Sequence, residues 1–134
     1  MLRVFCPKLD RLMGQTRILL VEGDAGACEV LGAALRNAGY AVETATTAAE
    51  AFAQLGRRRY AIVVADWELP EDQNGMDVLQ HAAKLGTKTL IMSQHLYQTS
   101  REDLHGDPAP LHPNKLVDEV ERILANPVWR KPVH

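Results

Sequence analysis

The sequence predicts a three-layer α/β sandwich built around a parallel sheet. Short apolar runs alternate with longer segments whose apolar residues recur at helical spacing, and this alternation repeats about five times. Such alternation is typical of parallel strands joined by right-handed helical crossovers. The chain has 134 residues, which is enough for one domain whose core needs no disulfide or structural metal.

Bulk composition narrows the class of protein. Hydrophobic residues make up 46% and charged residues 24%, as in an ordinary globular domain, and the net charge of -2 argues against a nucleic-acid partner. No stretch approaches the roughly 20 apolar residues of a membrane span, so we expect no membrane association. The two cysteines, Cys6 and Cys28, show no metal or disulfide spacing, which favours a reduced, cytoplasmic setting. The basic run Arg57-Arg58-Arg59 is interpreted as a solvated helix end.

The domain is expected to occupy residues 16–126. Residues 1–15 are predicted to be an N-terminal tail. They lack the long apolar core of a secretory signal, and Met13 is an alternative start. Residues 127–134 are predicted to be a C-terminal tail after the last helix.

The first two strand-helix units have clear signals for where each helix begins, and the first also has a stop signal. Residues 17–21 form an apolar run, and the helix after it is expected to begin with Asp24 as N-cap and to stop near Gly39. Residues 40–45 predict a second strand, followed by a helix capped by Thr46 or Thr47.

The third strand is the most apolar and ends at a single acid. Residues 60–65 read as a strand buried on both faces, and Asp66 follows directly. The carboxyl end of a parallel strand is where ligand sites form in open α/β sheets. A carboxylate there is a metal ligand, a nucleophile or a cap, and the strand alone does not decide between these roles.

The second half of the chain is less regular. We predict a polar loop over 71–75, a helix over 76–85, a fourth strand over 87–92, a short helix over 97–104, a very short fifth strand at 111–113 and a last helix capped by Asn114. The resulting architecture is a flavodoxin-like, doubly wound, five-stranded parallel sheet of the (βα)5 type.

Polar residues follow four of the five predicted strands at one edge of the sheet. These residues are Glu22, Asp66, Ser93 and His112. Two neighbouring carboxylates repel each other when both are ionised, so such a pair favours a divalent cation, and oxygen ligands favour Mg²⁺ over zinc. No glycine-rich phosphate loop follows the first strand, which argues against a nucleotide-binding enzyme of similar fold.

These residues, in this order, resemble the receiver domain of a two-component response regulator of the chemotaxis-regulator type. The matching pieces are residues 18–22, residues 66–70 with Gly75, Ser93 after the fourth strand, and Pro113 before the last helix. The loop from Asp66 to Gly75 is one residue longer than the commonest form in the family.

The resemblance implies a phosphorelay and not an enzyme. Asp66 would accept a phosphoryl group from a histidine kinase or phosphotransfer protein, and an unknown downstream protein would receive the signal. Mg²⁺ would be held by Glu22, Asp66 and the backbone carbonyl of Glu68. Ser93 would sense the phosphoryl group.

The sequence departs from the family pattern at positions that this chemistry uses. Gly23 replaces the second acid, normally a direct metal ligand, so Mg²⁺ binding is expected to be weakened. Asp24 could reach the metal instead or could cap the first helix. His112 stands at the usual lysine position, with a metal-ligand role as its alternative, and the segment from Ser93 to His112 is shortened.

Two functions stay open at this point. The first is a stand-alone, divergent receiver that acts through protein–protein binding, with phosphorylation at Asp66 weak or lost. The alternative is a functional Mg²⁺-dependent phosphoacceptor.

Overall fold

The computed structural model describes residues 16–92 and 112–125. Its strands are β1 (Arg17–Val21), β2 (Ala41–Ala45), β3 (Ile62–Asp66), β4 (Glu68–Leu69), β5 (Gln73–Asn74) and β6 (Lys88–Met92). Its helices are α1 (Ala25–Asn37), α2 (Ala48–Arg57), α3 (Gly75–Lys84) and α4 (Pro113–Ala125). The four long strands form one sheet in the order β2-β1-β3-β6, and every neighbouring pair is parallel.

The central strands β1 and β3 are buried on both faces, and this defines the three layers. Alternate residues such as Leu19 and Val63 face α2 and α3, whereas Ile18 and Ile62 face α1 and α4. All four side chains are 0% exposed, and burial of each such side chain contributes about 1.5–3 kcal/mol. The predicted flavodoxin-like α/β fold is confirmed. The helix predicted over 97–104 lies outside the described residues, and so does the first residue of the fifth strand predicted at 111–113. The other two residues form no strand: His112 has no regular structure and Pro113 begins α4.

The helix starts follow from capping side chains. The Asp24 carboxylate accepts a hydrogen bond from the Ala27 N–H at 2.8 Å, so Asp24 is the N-cap of α1. Thr47 Oγ1 accepts from the Glu50 N–H at 3.1 Å, while Glu50 accepts from the Thr46 N–H at 2.8 Å. This reciprocal pair is a capping box, and it selects Thr47 over Thr46 as the N-cap of α2.

The segment predicted as an irregular polar loop, 71–75, is instead partly ordered as a hairpin. β4 and β5 pair antiparallel, and the Gln73 N–H donates to the Pro70 carbonyl at 3.3 Å across the turn. Glu71 and Asp72 have φ values of 64° and 57°, the signs of a type I′ turn. Neither residue is glycine, so the sequence contained no strong signal for this turn.

One helix begins one residue earlier than predicted, and another begins two residues earlier. α3 begins at Gly75, because the Asn74 side chain accepts from the Met76 N–H at 2.7 Å. α4 begins at Pro113, a residue that favours the first helical position because it has no N–H to satisfy, so the prediction of Asn114 as the cap is wrong. None of the helices in 16–92 and 112–125 is long and apolar enough to cross a membrane.

Candidate functional site

Two carboxylates lie side by side at the carboxyl end of the sheet. Val21 pairs with Ala65 in the β1–β3 ladder, so the next residues, Glu22 and Asp66, leave the sheet together. The Glu22 N–H donates to the Ala45 carbonyl at 2.9 Å, which fixes its backbone against β2. Glu22 is 8% exposed, and its side chain is hydrogen-bonded to Asp66.

Burial changes the acidity of this carboxylate pair. It raises the pKa of Glu22 from 4.5 to about 7, and the negative charges of Asp66 and Asp24 act in the same direction. The Asp24 N–H, which donates to Glu22 Oε1 at 3.0 Å, opposes this shift. Burial also raises the pKa of Asp66, partly offset by the hydrogen bond from Glu22 and by the Glu68 N–H. The pair therefore holds a proton near neutral pH, with protonated Glu22 donating to the Asp66 carboxylate.

The hairpin packs tightly against the backbone of Asp66. The Trp67 N–H donates to the Met92 carbonyl at 2.7 Å, and the Gly75 N–H donates to the Trp67 carbonyl at 2.8 Å. A Cβ at position 75 would lie 1.8 Å from the Asp66 carbonyl oxygen, so only glycine fits. The glycine of the family motif thus lets the loop close over the strand end.

The space beside Gly23 is filled by a proline ring. A Cβ at position 23 would lie 2.7 Å from Pro70 Cδ and 3.0 Å from Pro70 Cγ, closer than side chains tolerate. The neighbouring acid, Asp24, directs its carboxylate to the N-terminus of α1 instead. Sequence reasoning identified the missing acid at position 23 but not the role of Pro70.

Of the two remaining candidate residues, the structure describes only His112. Ser93 lies outside the described residues. His112 is exposed just before α4, where its Nδ1 accepts from the Asn114 N–H at 3.2 Å and its carbonyl accepts from the Lys115 N–H at 3.0 Å. The His112 side chain therefore caps its own helix in this structure.

A parallel α/β sheet with two neighbouring carboxylates, Glu22 and Asp66, at its carboxyl edge is the layout of a two-component signalling module. The sequence matches the response regulator receiver domain over residues 18–105, and the chain belongs to that family. Transcriptional regulatory protein GlrR of Escherichia coli (strain K12) is 32% identical over 80 residues, which is 58% of this chain and 18% of that protein. The match spans less than a fifth of that relative.

Solved structures support the same fold. The CheY-like receiver domain protein of Methanospirillum hungatei JF-1 has 27% identity and a TM-score of 0.68, covering 83% of this chain and 94% of that chain. The non-phosphorylated HemR receiver domain of Leptospira biflexa has 27% identity and a TM-score of 0.67, covering 90% and 100%. The PhyR receiver domain of Erythrobacter litoralis has a TM-score of 0.73 at 18% identity, covering 91% and 99%, and shows the fold alone.

Receiver domains generally bind Mg²⁺ at their acidic site, and the residues here fit that ion poorly. The described part of the chain contains no group of three or more His, Cys, Asp or Glu residues arranged to hold a metal. Glu22 and Asp66 offer oxygen chemistry suited to Mg²⁺. However, a side chain at position 23, where the family has its second acid, would collide with the Pro70 ring.

Proposed function

We propose that this chain is a divergent receiver domain that acts in two-component signalling by binding another protein, with phosphorylation at Asp66 weak or lost. The main observation behind this proposal is the contact that an acid at position 23 would make with Pro70, 2.7 Å from Cβ to Cδ. The proposed setting is the cytoplasm, and Cys28, a free and buried thiol, suits a reducing compartment.

Electrostatics support weak phosphorylation. Phosphoryl transfer depends on positioning and on neutralising charge at the transferred group. The described residues around Asp66 are mostly negative or neutral: Glu22 is its closest partner, and Glu68, Glu71 and Asp72 are exposed on the adjoining hairpin. These acids would repel an incoming phosphoryl group. Fewer metal ligands than the family normally supplies would be available to hold a cation that neutralises its charge.

The same edge has features that suit protein binding. Trp67, directly after Asp66, is 40% exposed although it is large and apolar. Tryptophan is enriched at the energetic centres of protein interfaces. Three exposed acids, Glu68, Glu71 and Asp72, follow it closely in sequence, so a partner with a basic or polar rim and an apolar centre would fit. In this family the partner would be a histidine kinase, a phosphotransfer protein or a downstream protein.

A functional Mg²⁺-dependent phosphoacceptor is the second candidate. It is favoured by the position of Asp66, which stands at the end of β3 with Glu22 hydrogen-bonded beside it. The two candidates differ in whether Asp66 takes up a phosphoryl group at a useful rate.

Intact-mass measurement separates the two candidates. The chain is incubated with a small acyl phosphate and Mg²⁺, and the mass gain of one phosphoryl group is followed over time. We expect little or no gain. The variant Asp66→Asn shows whether any gain belongs to that residue, and Asp72→Asn is the matched control at an exposed acid of the same hairpin. Rapid, near-complete labelling that disappears only in Asp66→Asn would establish the second candidate and overturn the first.

A further inference from the structure

A cavity of about 320 Å³ lies at the opposite edge of the sheet from Asp66. It is formed where α2 ends, where the chain enters β3 and where α3 ends, and its lining includes Arg57, Arg58, Arg59, Tyr60 and Leu85. This volume is at the lower end of the range for small-molecule sites, about 300–1,000 Å³.

Three arginines make the lining of the cavity positively charged, and the helix dipole explains only part of this charge. Every helix of a parallel α/β sheet ends at this edge, and basic residues in the last turn, such as Arg36, Arg57 and Arg122, suit the negative helix end. Arg57 also donates to the Gln54 side chain at 2.9 Å. Arg58 is the C-cap residue of α2, and Arg59 lies beyond the helix end, so the helix dipole does not explain Arg59.

Arg58 and Arg59 differ in their partners. Arg58 forms an ion pair with Glu43 at 2.9 Å, but the same carboxylate also pairs with Arg17 at 3.3 Å and accepts from the Tyr60 hydroxyl at 2.6 Å. One carboxylate is thus shared between two guanidinium groups. Arg59 forms no hydrogen bond or ion pair with any residue in the described ranges. Among the described residues that line the cavity there is no acid, so this lining has an excess of positive charge.

The cavity also has an apolar wall. Leu85, at the end of α3, is 48% exposed, and Leu55 of α2 lies on the other side. An exposed leucine alone would be ordinary. Beside Arg59, which has no acidic partner among the described residues, it forms a surface that suits a ligand with a charged head and an apolar body.

We propose that this cavity binds a small organic anion, in which a phosphate or carboxylate head is held by Arg59 with Arg58 or Arg57, and an apolar body packs on Leu85. The guanidinium group suits this role because its planar set of donors matches both kinds of anion in a two-pronged geometry. The site is separate from Asp66 and does not depend on whether that residue is phosphorylated.

Amide NMR titration of the full chain without divalent cations tests the site. The probes are phenylphosphonate, methylphosphonate and benzoate at constant ionic strength; the phosphonates cannot transfer a phosphoryl group, because their phosphorus is bound to carbon. We expect saturable shifts limited to residues 55–60 and 85–87. Phenylphosphonate should bind about threefold or more tightly than methylphosphonate, because only its ring can be buried against Leu85. Whichever of phenylphosphonate and benzoate binds more tightly identifies the preferred head group.

Two arginine variants and one leucine variant complete the test. Arg59→Gln should weaken phenylphosphonate about fivefold or more, because a charge-assisted hydrogen bond is lost. Arg122→Gln removes the same charge from α4, on the other face of the sheet, and should change the affinity less than about twofold. Leu85→Ser should remove the preference for the phenyl ring.

The proposal is overturned if no saturable shift occurs at these residues. It is also overturned if Arg59→Gln and Arg122→Gln weaken binding equally, which would indicate diffuse charge attraction. Shifts at the cavity that grow with protein concentration alone would show instead that a second copy of the chain occupies this surface.

Discussion

The two edges of the central sheet differ in charge and in packing. At the carboxyl edge, Glu22 is buried, Asp66 beside it is half-buried, and the two side chains are hydrogen-bonded. At the amino edge, the run Arg57-Arg58-Arg59 surrounds a solvent-accessible cavity. Both arrangements follow from one topology, since strands end at the first edge and helices end at the second. The net charge of -2 does not reveal this polarity.

The difference in packing explains why a substitution has different structural consequences at the two edges. At the carboxyl edge a Cβ on Gly75 or Gly23 would collide with the Asp66 carbonyl or the Pro70 ring. At the amino edge a Cβ on Gly56 would meet nothing within 4 Å. A change at the carboxyl edge therefore alters several neighbours at once. A change at the amino edge alters charge or shape with little effect on the fold.

The largest expected effect contrasts two glycines, one at each edge. Gly75→Ala should lower the free energy of unfolding by about 4 kcal/mol or more, because its Cβ would lie 1.8 Å from a backbone oxygen that is fixed in the sheet. Gly56→Ala, inside α2 with open space around it, should raise the free energy of unfolding by about 0.5–1 kcal/mol. Urea unfolding measures both. Similar stability of the two variants would show that the hairpin does not pack on Asp66 as described.

The second prediction concerns the pH dependence of stability. In the folded chain the pKa of Glu22 is raised from 4.5 to about 7, so between these values the folded state keeps a proton that the unfolded state releases. The contribution of this proton to the free energy of unfolding is fully present below about pH 4.5. It is lost as the pH rises through about 7. The loss should be on the order of 3 kcal/mol, at about 1.4 kcal/mol for each pKa unit.

Glu22→Gln is the matched variant for this pH effect. Glutamine keeps the acceptor for the Asp24 N–H and still donates to Asp66, but it does not ionise. Unfolding curves at about pH 5 and about pH 8 should show a fall in the natural chain and a much smaller fall in the variant. Equal falls in both proteins would mean that Glu22 is not the buried titrating group.

Most of the fold could be predicted from local sequence signals. Apolar runs mark β1 and β3, and Asp24 and Thr47 mark helix starts, because each depends on residues close in sequence. The β4–β5 hairpin could not be predicted. It pairs only two residues on each strand, and its turn places non-glycine residues at positive φ.

The site was predictable in outline only. Parallel strand ends meet at one edge, so the proximity of Glu22 and Asp66 follows from the strand pattern. The pKa of about 7 does not follow from it, because burial is set by tertiary packing. The contact between position 23 and Pro70 also depends on how the loop crosses the edge, which no local signal reports.

The third prediction tests whether the carboxyl edge can regain a metal ligand. Gly23→Asp alone should tighten Mg²⁺ only slightly, because Pro70 obstructs the new side chain. Gly23→Asp combined with Pro70→Ala should tighten Mg²⁺ about tenfold or more, the typical effect of an added partner at a metal site. Calorimetric titration measures the affinities, with Pro70→Ala alone as the control. If Gly23→Asp alone matched the double variant, the proline would be no obstacle.

The smallest expected effect is at the amino edge. Arg58 pairs with Glu43 at 2.9 Å, but the two side chains are 48% and 27% exposed. Solvent screens such a pair, and Arg17 and Tyr60 still hold the carboxylate when Arg58 is removed. Arg58→Gln should therefore lower the free energy of unfolding by less than about 1 kcal/mol, measured by urea unfolding. A loss of several kcal/mol would show that the arginines stabilise the fold, and that this edge is as tightly constrained as the edge around Asp66.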